Sequence, residues 1–494
     1  MSNKYILAID QGTTSTKAII FDQRGNIISS ALREVQNIFP HPGWVEVDPM
    51  KLWVSVVDVI NEALILGSLQ WSDIDSIGIT NQRETVIVWD KNTGKPVYNG
   101  IIWQSRQTLD ICDKLKKHTE EIFKKTGLFI NPYFSASKIR WILNKISNGQ
   151  KRAEKGDLMC GTVDTWLIYK LTNQKVFATD YTNASRTLLF NIRTLTWDDK
   201  LLKLFNIPKK MLPKVCDSSY DYGKASFFSN CNAHITGVAG DQQASLFGQR
   251  CFKEGQTKTT YGTGAFILAN IGNKLVLSKN KLLTTIAWKI GKKVTYCLEG
   301  SVFICGSVVT WLRDGMKIIK STDEVEKLAL SVKDTGGVYI VPAFTGLGAP
   351  YWNNHVRGAI FGVSRGTTGA HIARACIESM AYQVEDVIDT LSQEVKIDRK
   401  HMNVDGGECS NNLLLQFQSN ISRSKIKLPK MREVTALGVC YLAGLHTGYF
   451  SSMEAITKLP SIGKEYSPQI SIAEAKGKSA GWKQAVEADI NFKV

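Results

Sequence analysis

Two turns built from glycine and threonine constrain the fold most, because each lies between two strand-like runs of β-branched residues. Strand, turn and strand occupy residues 5–10, 11–15 and 17–21 in the first unit, and residues 258–261, 262–264 and 265–271 in the second. The first unit continues through a turn at 24–26 into a third strand at 27–32, which completes an antiparallel meander. Two such units, one opening each half of the chain, predict a pair of similar domains that face each other.

The length of 494 residues fits two domains better than one, because a single hydrophobic core rarely serves more than about 250–300 residues. Strand-like runs alternate with helical patterns, such as the amphipathic stretch at 53–64, and this alternation indicates the α/β class. No linker rich in proline or serine marks the division. We place it at 249–255 and assign 1–250 to the first domain and 251–494 to the second.

The net charge of +16 raises the possibility of a polyanionic partner such as nucleic acid. However, the lysines are dispersed, without interleaved aromatic residues or a nucleic-acid-binding motif. We interpret them as a solvated basic surface and expect no nucleic-acid partner. No apolar run approaches the ~18 residues that cross a bilayer, and the N-terminal apolar stretch is too short for a signal peptide. We therefore expect a cytoplasmic protein without membrane insertion.

Ten cysteines are scattered along the chain without a CxxC pair, and the seven histidines form no cluster with them. Structural zinc sites need clustered ligands. The pattern therefore predicts buried, reduced thiols rather than a zinc site or a disulfide framework.

The familiar phosphate-binding loops are absent: the chain has no GxxxxGK[ST], no GxGxxG and no protein-kinase motif set. The turn after Asp10 offers another route, because its glycine and hydroxyl residues can direct N–H and O–H donors at phosphate oxygens. Asp10 itself can hold Mg²⁺, partly through water, since this ion keeps much of its hydration. An ordinary hairpin turn is the alternative.

Two segments of the second half are further phosphate or nucleoside candidates. The turn 262–264 can close on the same phosphates from the opposite domain. In the segment 404–412, glycines at a strand end precede asparagines at a helix start, which lets the backbone approach a flat nucleoside closely. A plain turn with a helix N-cap explains the second segment equally well.

Arg83 and Glu84 are the candidate polyol-binding pair. Together they supply donors and an acceptor, which vicinal hydroxyl groups need side by side. A surface ion pair is the common alternative, but this pair lies between apolar strand-like runs, where unpaired charge is costly.

Asp241 lies between a strand-like run and a helix-like run. It can be a helix N-cap or a general base at a strand end, where catalytic groups of α/β folds gather. An unperturbed aspartate has a pKa near 3.9 and is ionised at neutral pH, so it needs no tuning to accept a hydroxyl proton.

These segments occur together and in order in the FGGY carbohydrate kinases, which the chain resembles over nearly its whole length. The resemblance is carried by DQGTTS at 10–15, PGWVE at 42–46, GITNQRET at 78–85, DYTNASRT at 180–187, GDQQA at 240–244, YGTG at 261–264, PAFTGLGAPYW at 342–352 and DGG at 405–407. One longer family signature fits at 133–144 and departs at the next residue, Lys145, and another fits at 358–378 except at Cys376.

The resemblance implies two actin-like (ribonuclease-H-like) domains with an interdomain catalytic cleft, and an enzyme that phosphorylates glycerol with ATP and Mg²⁺. Asp241 is the implied general base, and Asp10 and Asp241 are the implied Mg²⁺ residues. The residues implied to contact glycerol are Arg83, Glu84, Trp103, Tyr133, Asp241, Gln242 and Phe266. Those implied to contact ATP are Thr13, Thr14, Ser15, Lys17, Thr263, Gly306, Thr310, Gly407 and Asn411.

Two of the implied ATP residues depart from the usual family pattern. Lys17 replaces an arginine, so the phosphate would meet a single point charge instead of a bidentate guanidinium. Thr310 replaces a glutamine. Family analogy further implies a homodimer or homotetramer. An FGGY kinase that acts on a pentulose or gluconate, and an actin-like ATPase without a small-molecule acceptor, are the alternatives.

The family also implies two forms of control. Some bacterial members bind fructose 1,6-bisphosphate through a loop with arginine before the GDQQ turn, and others are activated by phosphorylation of a histidine there. The corresponding residues 226–234 contain no Arg or Lys. The alignment places Ser226 at the phosphorylated position, and a one-residue difference in length leaves His234, their one histidine, as the alternative to test. A bisphosphate needs charge-assisted donors to offset its desolvation. We therefore predict that neither control operates.

Overall fold

The computed structural model describes residues 4–353, 355–461 and 463–492, which form two α/β halves. The strands of the first half are β1 (Tyr5–Gln11), β2 (Ser15–Phe21), β3 (Ile27–Glu34), β4 (Asn37–Ile38), β5 (Glu46–Val47), β6 (Ile74–Asn81), β7 (Val86–Asp90), β8 (Gly100–Ile101), β9 (Leu158–Thr162), β10 (Ala178–Asp180), β11 (Phe190–Asn191), β12 (Thr196–Trp197), β13 (Lys214–Cys216) and β14 (His234–Gly240). Its helices are α1 (Pro49–Leu66), α2 (Leu109–Lys114), α3 (Thr119–Thr126), α4 (Ser135–Lys145), α5 (Gly149–Lys155), α6 (Val163–Leu171), α7 (Tyr181–Ala184), α8 (Asp199–Phe205) and α9 (Asp241–Gly248).

The second half repeats this alternation. Its strands are β15 (Thr257–Tyr261), β16 (Ala265–Asn270), β17 (Leu283–Ile290), β18 (Lys293–Val302), β19 (Tyr339–Val341), β20 (Ala359–Phe361), β21 (His401–Asp405), β22 (Lys425–Leu428) and β23 (Lys464–Tyr466). Its helices are α10 (Ser307–Asp314), α11 (Glu324–Ala329), α12 (Gly369–Glu394), α13 (Asn412–Ser422), α14 (Val434–Thr447), α15 (Met453–Thr457) and α16 (Ile472–Asn491).

The two central sheets share one topology. The first has the order β14-β6-β1-β2-β3, with an antiparallel meander followed by two parallel strands. The second has the order β17-β18-β16-β15-β21-β22-β23, so that β18-β16-β15-β21-β22 repeats the same arrangement between two additional edge strands. The predicted meander and the two-domain, ribonuclease-H-like α/β fold are confirmed.

The register of the first sheet brings three strand ends to one edge. Asp10 pairs with Thr80, and Asn81 pairs with both Gln11 and Gly240. Because β1, β6 and β14 run parallel, the segments that follow them leave the sheet side by side. This is where ligands bind in open α/β sheets.

A helix of the second half covers the first sheet. Helix α14 packs against β14, β6 and β1 and crosses α9 at close range. At Gly438 an added Cβ would lie 1.9 Å from the carbonyl oxygen of Ala244, which only glycine avoids. The two halves are therefore joined at the α9–α14 crossing, next to the strand ends described above.

One local prediction in the first half, an amphipathic helix at 53–64, is confirmed as well. Helix α1 spans the predicted amphipathic stretch, begins after the N-cap Asp48 and buries Leu52, Val56 and Ile60 against the sheet. All ten cysteines are buried with free thiols, as predicted. Across the residues described, no helix combines the length and apolar character needed to span a membrane.

Candidate active site

The turn between β6 and β7 carries the predicted polyol-binding pair. Arg83 and Glu84 are buried there, and Glu84 has a φ of 62°, in the left-handed region that is unfavourable for a side chain of this kind. The ammonium group of Lys138 donates to the carbonyl oxygens of Glu84, at 3.2 Å, and of Tyr133, at 2.5 Å. Burial lowers the pKa of Lys138 to about 7. Lys138, a residue of α4, thus holds the backbone of Glu84 in place.

A cavity of about 150 Å³ opens between the two halves at this turn. It is small beside the ~300–1,000 Å³ pockets of drug-sized ligands, as a short polyol requires. Its lining includes all seven residues predicted for the polyol: Arg83, Glu84, Trp103, Tyr133, Asp241, Gln242 and Phe266. Thr13, Thr260 and the turn 262–264 complete it.

Three aromatic side chains form one wall of the cavity. The ring of Trp103 lies edge-on to Tyr133, with centroids 5.7 Å apart, and to Phe266, at 6.1 Å. Trp103 comes from the first half and Phe266 from the second. Such a wall can cover the C–H surface of a polyol while the opposite wall supplies hydrogen bonds.

Asp241 is the first residue of α9, and its side chain faces the cavity. One carboxylate oxygen, Oδ1, accepts from the N–H of Gln242 at 2.7 Å and lies 3.2 Å from Arg83 Nε. Gly240 occupies the N-cap position, so the N-cap interpretation of Asp241 is wrong. Burial raises the pKa of Asp241 above its ordinary value, and the charges of Arg83 and Lys258 only partly oppose this shift.

Asp10 lies at the end of β1, close to two other carboxylates. Burial raises its pKa to about 7; Lys17 opposes this shift, and Glu433 and Asp241 add to it. The described residues hold no group of three or more His, Cys, Asp or Glu side chains arranged for a metal. Mg²⁺ commonly takes only one or two carboxylates beside water and phosphate oxygens, so Asp10 and Asp241 fit this ion by donor type and position.

The first Gly/Thr turn closes between β1 and β2. The N–H of Gly12 donates to the carbonyl oxygen of Ser15 at 2.8 Å. The hydroxyl of Thr13 accepts from Trp103 Nε1 at 2.8 Å, which ties the turn to the aromatic wall. Thr14 is exposed at the tip and available to a phosphate.

The second Gly/Thr turn lies next to the start of α10. Cys305 N donates to Thr263 O, and Gly306 N donates to Gly262 O, both at 2.9 Å. A Cβ on Gly306 would lie 2.3 Å from a carboxylate oxygen of Glu408, so the loop after β21 also approaches this point. The structure thus brings Thr263, Gly306 and the loop that carries Gly407 together.

The remaining ATP candidates lie around these turns. Thr310 is exposed on α10. Asn411 is the N-cap of α13 and accepts from Leu414 N at 2.9 Å, as the N-cap interpretation predicted. The ammonium group of Lys17 lies 2.8 Å from a carboxylate oxygen of Glu433, across the two halves.

Sequence reasoning gave no role to three charged residues beside the cavity: Arg186, Lys258 and Glu299. Lys258 contacts Gln242 Oε1 and donates to Thr260 Oγ1 at 2.7 Å. Burial lowers its pKa to about 8. The sequence signal that could have identified such residues is a charged side chain inside a strand-like run, such as Glu299 in β18.

Comparison with known proteins gives consistent matches over the whole chain. The FGGY family of carbohydrate kinases matches through its N-terminal domain at residues 5–248 and its C-terminal domain at 257–446. A glycerol kinase of Brevibacillus brevis is 52% identical, with 100% of each chain covered. Glycerol kinase 2 of Thermotoga maritima is 51% identical, with 99% of each chain covered.

Solved structures agree with this match. A Plasmodium falciparum glycerol kinase with ADP superposes with a TM-score of 0.92 at 36% identity, covering 100% of this chain and 99% of that one. A ligand-bound xylulose kinase from Lactobacillus acidophilus superposes with a TM-score of 0.87 at 23% identity, covering 98% and 97%. At 23% identity, the likeness to the xylulose kinase shows a shared fold only.

Proposed function

Because the chain belongs to the FGGY family of carbohydrate kinases, we propose that it transfers the γ-phosphoryl group of ATP to glycerol and produces sn-glycerol 3-phosphate, the first step of glycerol catabolism. The observation that carries the proposal is full-length identity of 52% to a glycerol kinase. The small cavity lined by all seven polyol residues supports it.

Glycerol would lie between the aromatic wall and the polar floor of the cavity. Arg83 donates a hydrogen bond to a hydroxyl oxygen, and the carboxylate of Glu84 accepts a hydrogen bond from a hydroxyl group. Gln242 offers both a donor and an acceptor. Trp103 and Phe266 cover the carbon chain, which restricts the acceptor to a short polyol.

Asp241 accepts the proton of the terminal hydroxyl as that oxygen attacks the γ-phosphorus. The new O–P bond forms as the bond to the β-phosphate oxygen breaks, ADP leaves, and the proton ends on the Asp241 carboxylate. Burial raises the pKa of Asp241, and two neighbouring cations oppose this shift. Such a balance suits a group that must first be ionised and then hold a proton.

The two Gly/Thr turns are the phosphate-binding elements of this proposal. Thr13, Thr14 and Ser15 approach the phosphates from the first domain, with Lys17 behind them, and Thr263 approaches from the second. Gly306, Thr310, Gly407 and Asn411 face the nucleoside. Phosphoryl transfer asks mainly for positioning and electrostatic stabilisation, which these groups supply.

Mg²⁺ would be held by Asp10 and Asp241, and when bound it neutralises charge on the phosphate oxygens. We further propose domains at 1–250 and 251–494, a cytoplasmic location, a homodimer or homotetramer, and no nucleic-acid partner.

One experiment distinguishes this function from two others. An FGGY kinase for pentuloses or gluconate shares the fold, and an actin-like ATPase would turn over ATP without a small acceptor. ADP release is measured with glycerol, dihydroxyacetone, xylulose, ribulose or gluconate, and without any acceptor. We expect the highest kcat/KM with glycerol and formation of glycerol 3-phosphate. A preference for a sugar, or ATP turnover unaffected by all five compounds, would refute the proposal.

A further inference from the structure

Arg186 and Glu299 are two completely buried charges beside the proposed glycerol site. Neither lines the cavity, and neither has a role in the proposed phosphoryl transfer. Arg186 follows α7 in the first half, and Glu299 lies on β18 in the second. Buried ionised groups are costly unless they are paired, so their partners indicate what they do.

Glu299 holds the guanidinium of Arg83 through two bonds. Arg83 Nη1 donates to Oε2 at 2.6 Å, and Nη2 donates to Oε1 at 3.0 Å. Gln243 accepts a further Nη1 hydrogen at 3.2 Å. A guanidinium has five N–H donors, so one Nη2 donor and the Nε donor on the Asp241 side remain. Glu299 therefore determines which edge of Arg83 faces the cavity.

Arg186 connects Glu84 to Glu299 through one hydrogen bond to each carboxylate. Its Nε donates to Glu84 Oε1 at 2.5 Å, and its Nη2 donates to Glu299 Oε1 at 3.1 Å. The other oxygen of Glu84 is left for a hydroxyl group in the cavity. The guanidinium carbon of Arg186 also lies 5.5 Å from the centre of the Tyr133 ring.

The four side chains form a closed network of two positive and two negative charges. Arg83, Glu84 and Arg186 belong to the first half, whereas Glu299 belongs to the second. Burial alone would raise the pKa of Glu299, but Arg186 and Arg83 hold it at about 2, so its carboxylate is ionised. The network is complete only while β18 lies against the β6–β7 turn.

We propose that Glu299 and Arg186 are positioning residues for the acceptor: they orient Arg83 and Glu84 and make glycerol capture depend on contact between the two domains. This inference rests on the proposed function, since it concerns the same polyol site. Neither residue touches the acceptor or the nucleotide.

The test compares Glu299→Gln and Arg186→Lys with the wild-type enzyme. The first variant keeps the shape of the side chain without its charge, and a lysine in the second cannot bond to two carboxylates in the same fork geometry. We expect the KM for glycerol to rise roughly 10- to 150-fold, the range for a lost hydrogen bond to a charged group, while the KM for ATP changes less than about threefold. Glycerol binding by calorimetry should weaken in parallel.

Glu378→Gln is the matched control, because Glu378 is a buried glutamate of the second half paired with Arg374 at 3.1 Å. It should leave the KM for glycerol unchanged. If Glu299→Gln does not fold, Glu299→Asp keeps the charge but shortens the reach to Arg83, and the same selective rise in KM for glycerol is expected.

Three results decide the matter. Folded variants with wild-type KM for glycerol, or with equal rises in KM for both substrates, would overturn the positioning role alone. A wild-type enzyme that does not phosphorylate glycerol would overturn the proposed function and this inference with it.

Discussion

Arg83 and Glu299 form a two-bond ion pair that joins the two domains at the floor of the cavity, with N–O distances of 2.6 and 3.0 Å. The same guanidinium lies 3.2 Å from Asp241 through its Nε. One side chain therefore connects the second domain, the proposed polyol site and the proposed general base. Domain closure is the usual way in which kinases exclude water from transfer, and this pair gives it a structural link to the acceptor.

Asp241→Asn should preserve the fold and lower kcat roughly 10²- to 10⁴-fold, the usual contribution of a positioned general base. An amide cannot accept the hydroxyl proton, although it nearly matches the carboxylate in size. The measurement is steady-state turnover, with circular dichroism as the check on folding. Asp221→Asn, at an exposed aspartate paired with His234, is the control. Near-normal turnover in folded Asp241→Asn would exclude the role of base.

Glu84→Gln should weaken glycerol binding far more than ATP binding. The variant loses the negative charge that pairs with Arg186. Its amide keeps a single acceptor oxygen, which cannot serve both Arg186 and a glycerol hydroxyl. We expect the KM for glycerol to rise roughly 10- to 150-fold, as for a lost hydrogen bond to a charged group. Calorimetric titration of each substrate into the variant checks this. Equal weakening of both substrates would instead assign Glu84 a structural role.

The turns of this fold could be predicted because their signals are local. β-branched runs with glycine and threonine between them located β1, β2, β15 and β16 to within one or two residues. Asp10 and Asp241 stood out because each follows a strand-like run, and functional groups of α/β folds gather at the carboxyl ends of strands. The chemistry of the strand ends therefore follows from a few consecutive residues.

The rest of the site is assembled from distant segments, which no local pattern encodes. Trp103, Tyr133 and Phe266 meet only in the folded chain, and their residue types alone suggest core positions; only the resemblance implied them. Arg83 and Glu299 are 216 positions apart, and Lys17 and Glu433 are 416 apart. Pairs across domains depend on tertiary structure, so their roles emerged from the contacts.

Glu299 should make the stability of the protein sensitive to acid. Its pKa in the folded state, about 2, lies below the ~4.3 of an unfolded glutamate. Its stabilising contribution is thus present above pH ~4.3 and is lost as the pH falls towards 2. Urea unfolding from pH 7 to 3 should show the difference between wild type and Glu299→Gln shrinking below pH ~4.3.

The control Glu378→Gln should show the opposite trend, because burial raises the pKa of Glu378. Its protonated form is favoured in the folded state, so wild type should lose stability relative to that variant as the pH rises. A difference between wild type and Glu299→Gln that is constant with pH would contradict the ion-pair account.

Millimolar fructose 1,6-bisphosphate should leave the activity unchanged, and phosphotransfer to His234 should not raise it. The loop before β14 offers no arginine or lysine between residues 226 and 234. His234 lies 2.8 Å from the carboxylate of Asp221, which would repel an incoming phosphate. Initial rates with and without the bisphosphate, and before and after treatment with a histidine phosphodonor, check both statements. Clear inhibition or activation would show that this loop is regulatory.

Asp10 should make the apparent affinity for Mg²⁺ depend on pH near neutrality. Its pKa is raised to about 7 by burial, with Glu433 and Asp241 adding to the shift, and a metal requires the deprotonated carboxylate. As the pH falls through about 7, protons compete with Mg²⁺ and more metal is needed for half-maximal activity. Asp10→Asn should raise that concentration roughly 10- to 100-fold, as for residues that hold a metal through water.

The decisive comparison is Mg²⁺ dependence at pH 6, 7 and 8 in both proteins. Titration of the ATP phosphates affects both equally, so the excess pH dependence of the wild type reports Asp10 itself. The excess should vanish in Asp10→Asn, and activity should be lost in both when the metal is removed with EDTA. Identical pH profiles in the two proteins would mean that Asp10 does not hold the ion. Asp241 would then be the remaining protein carboxylate of the proposed Mg²⁺ site.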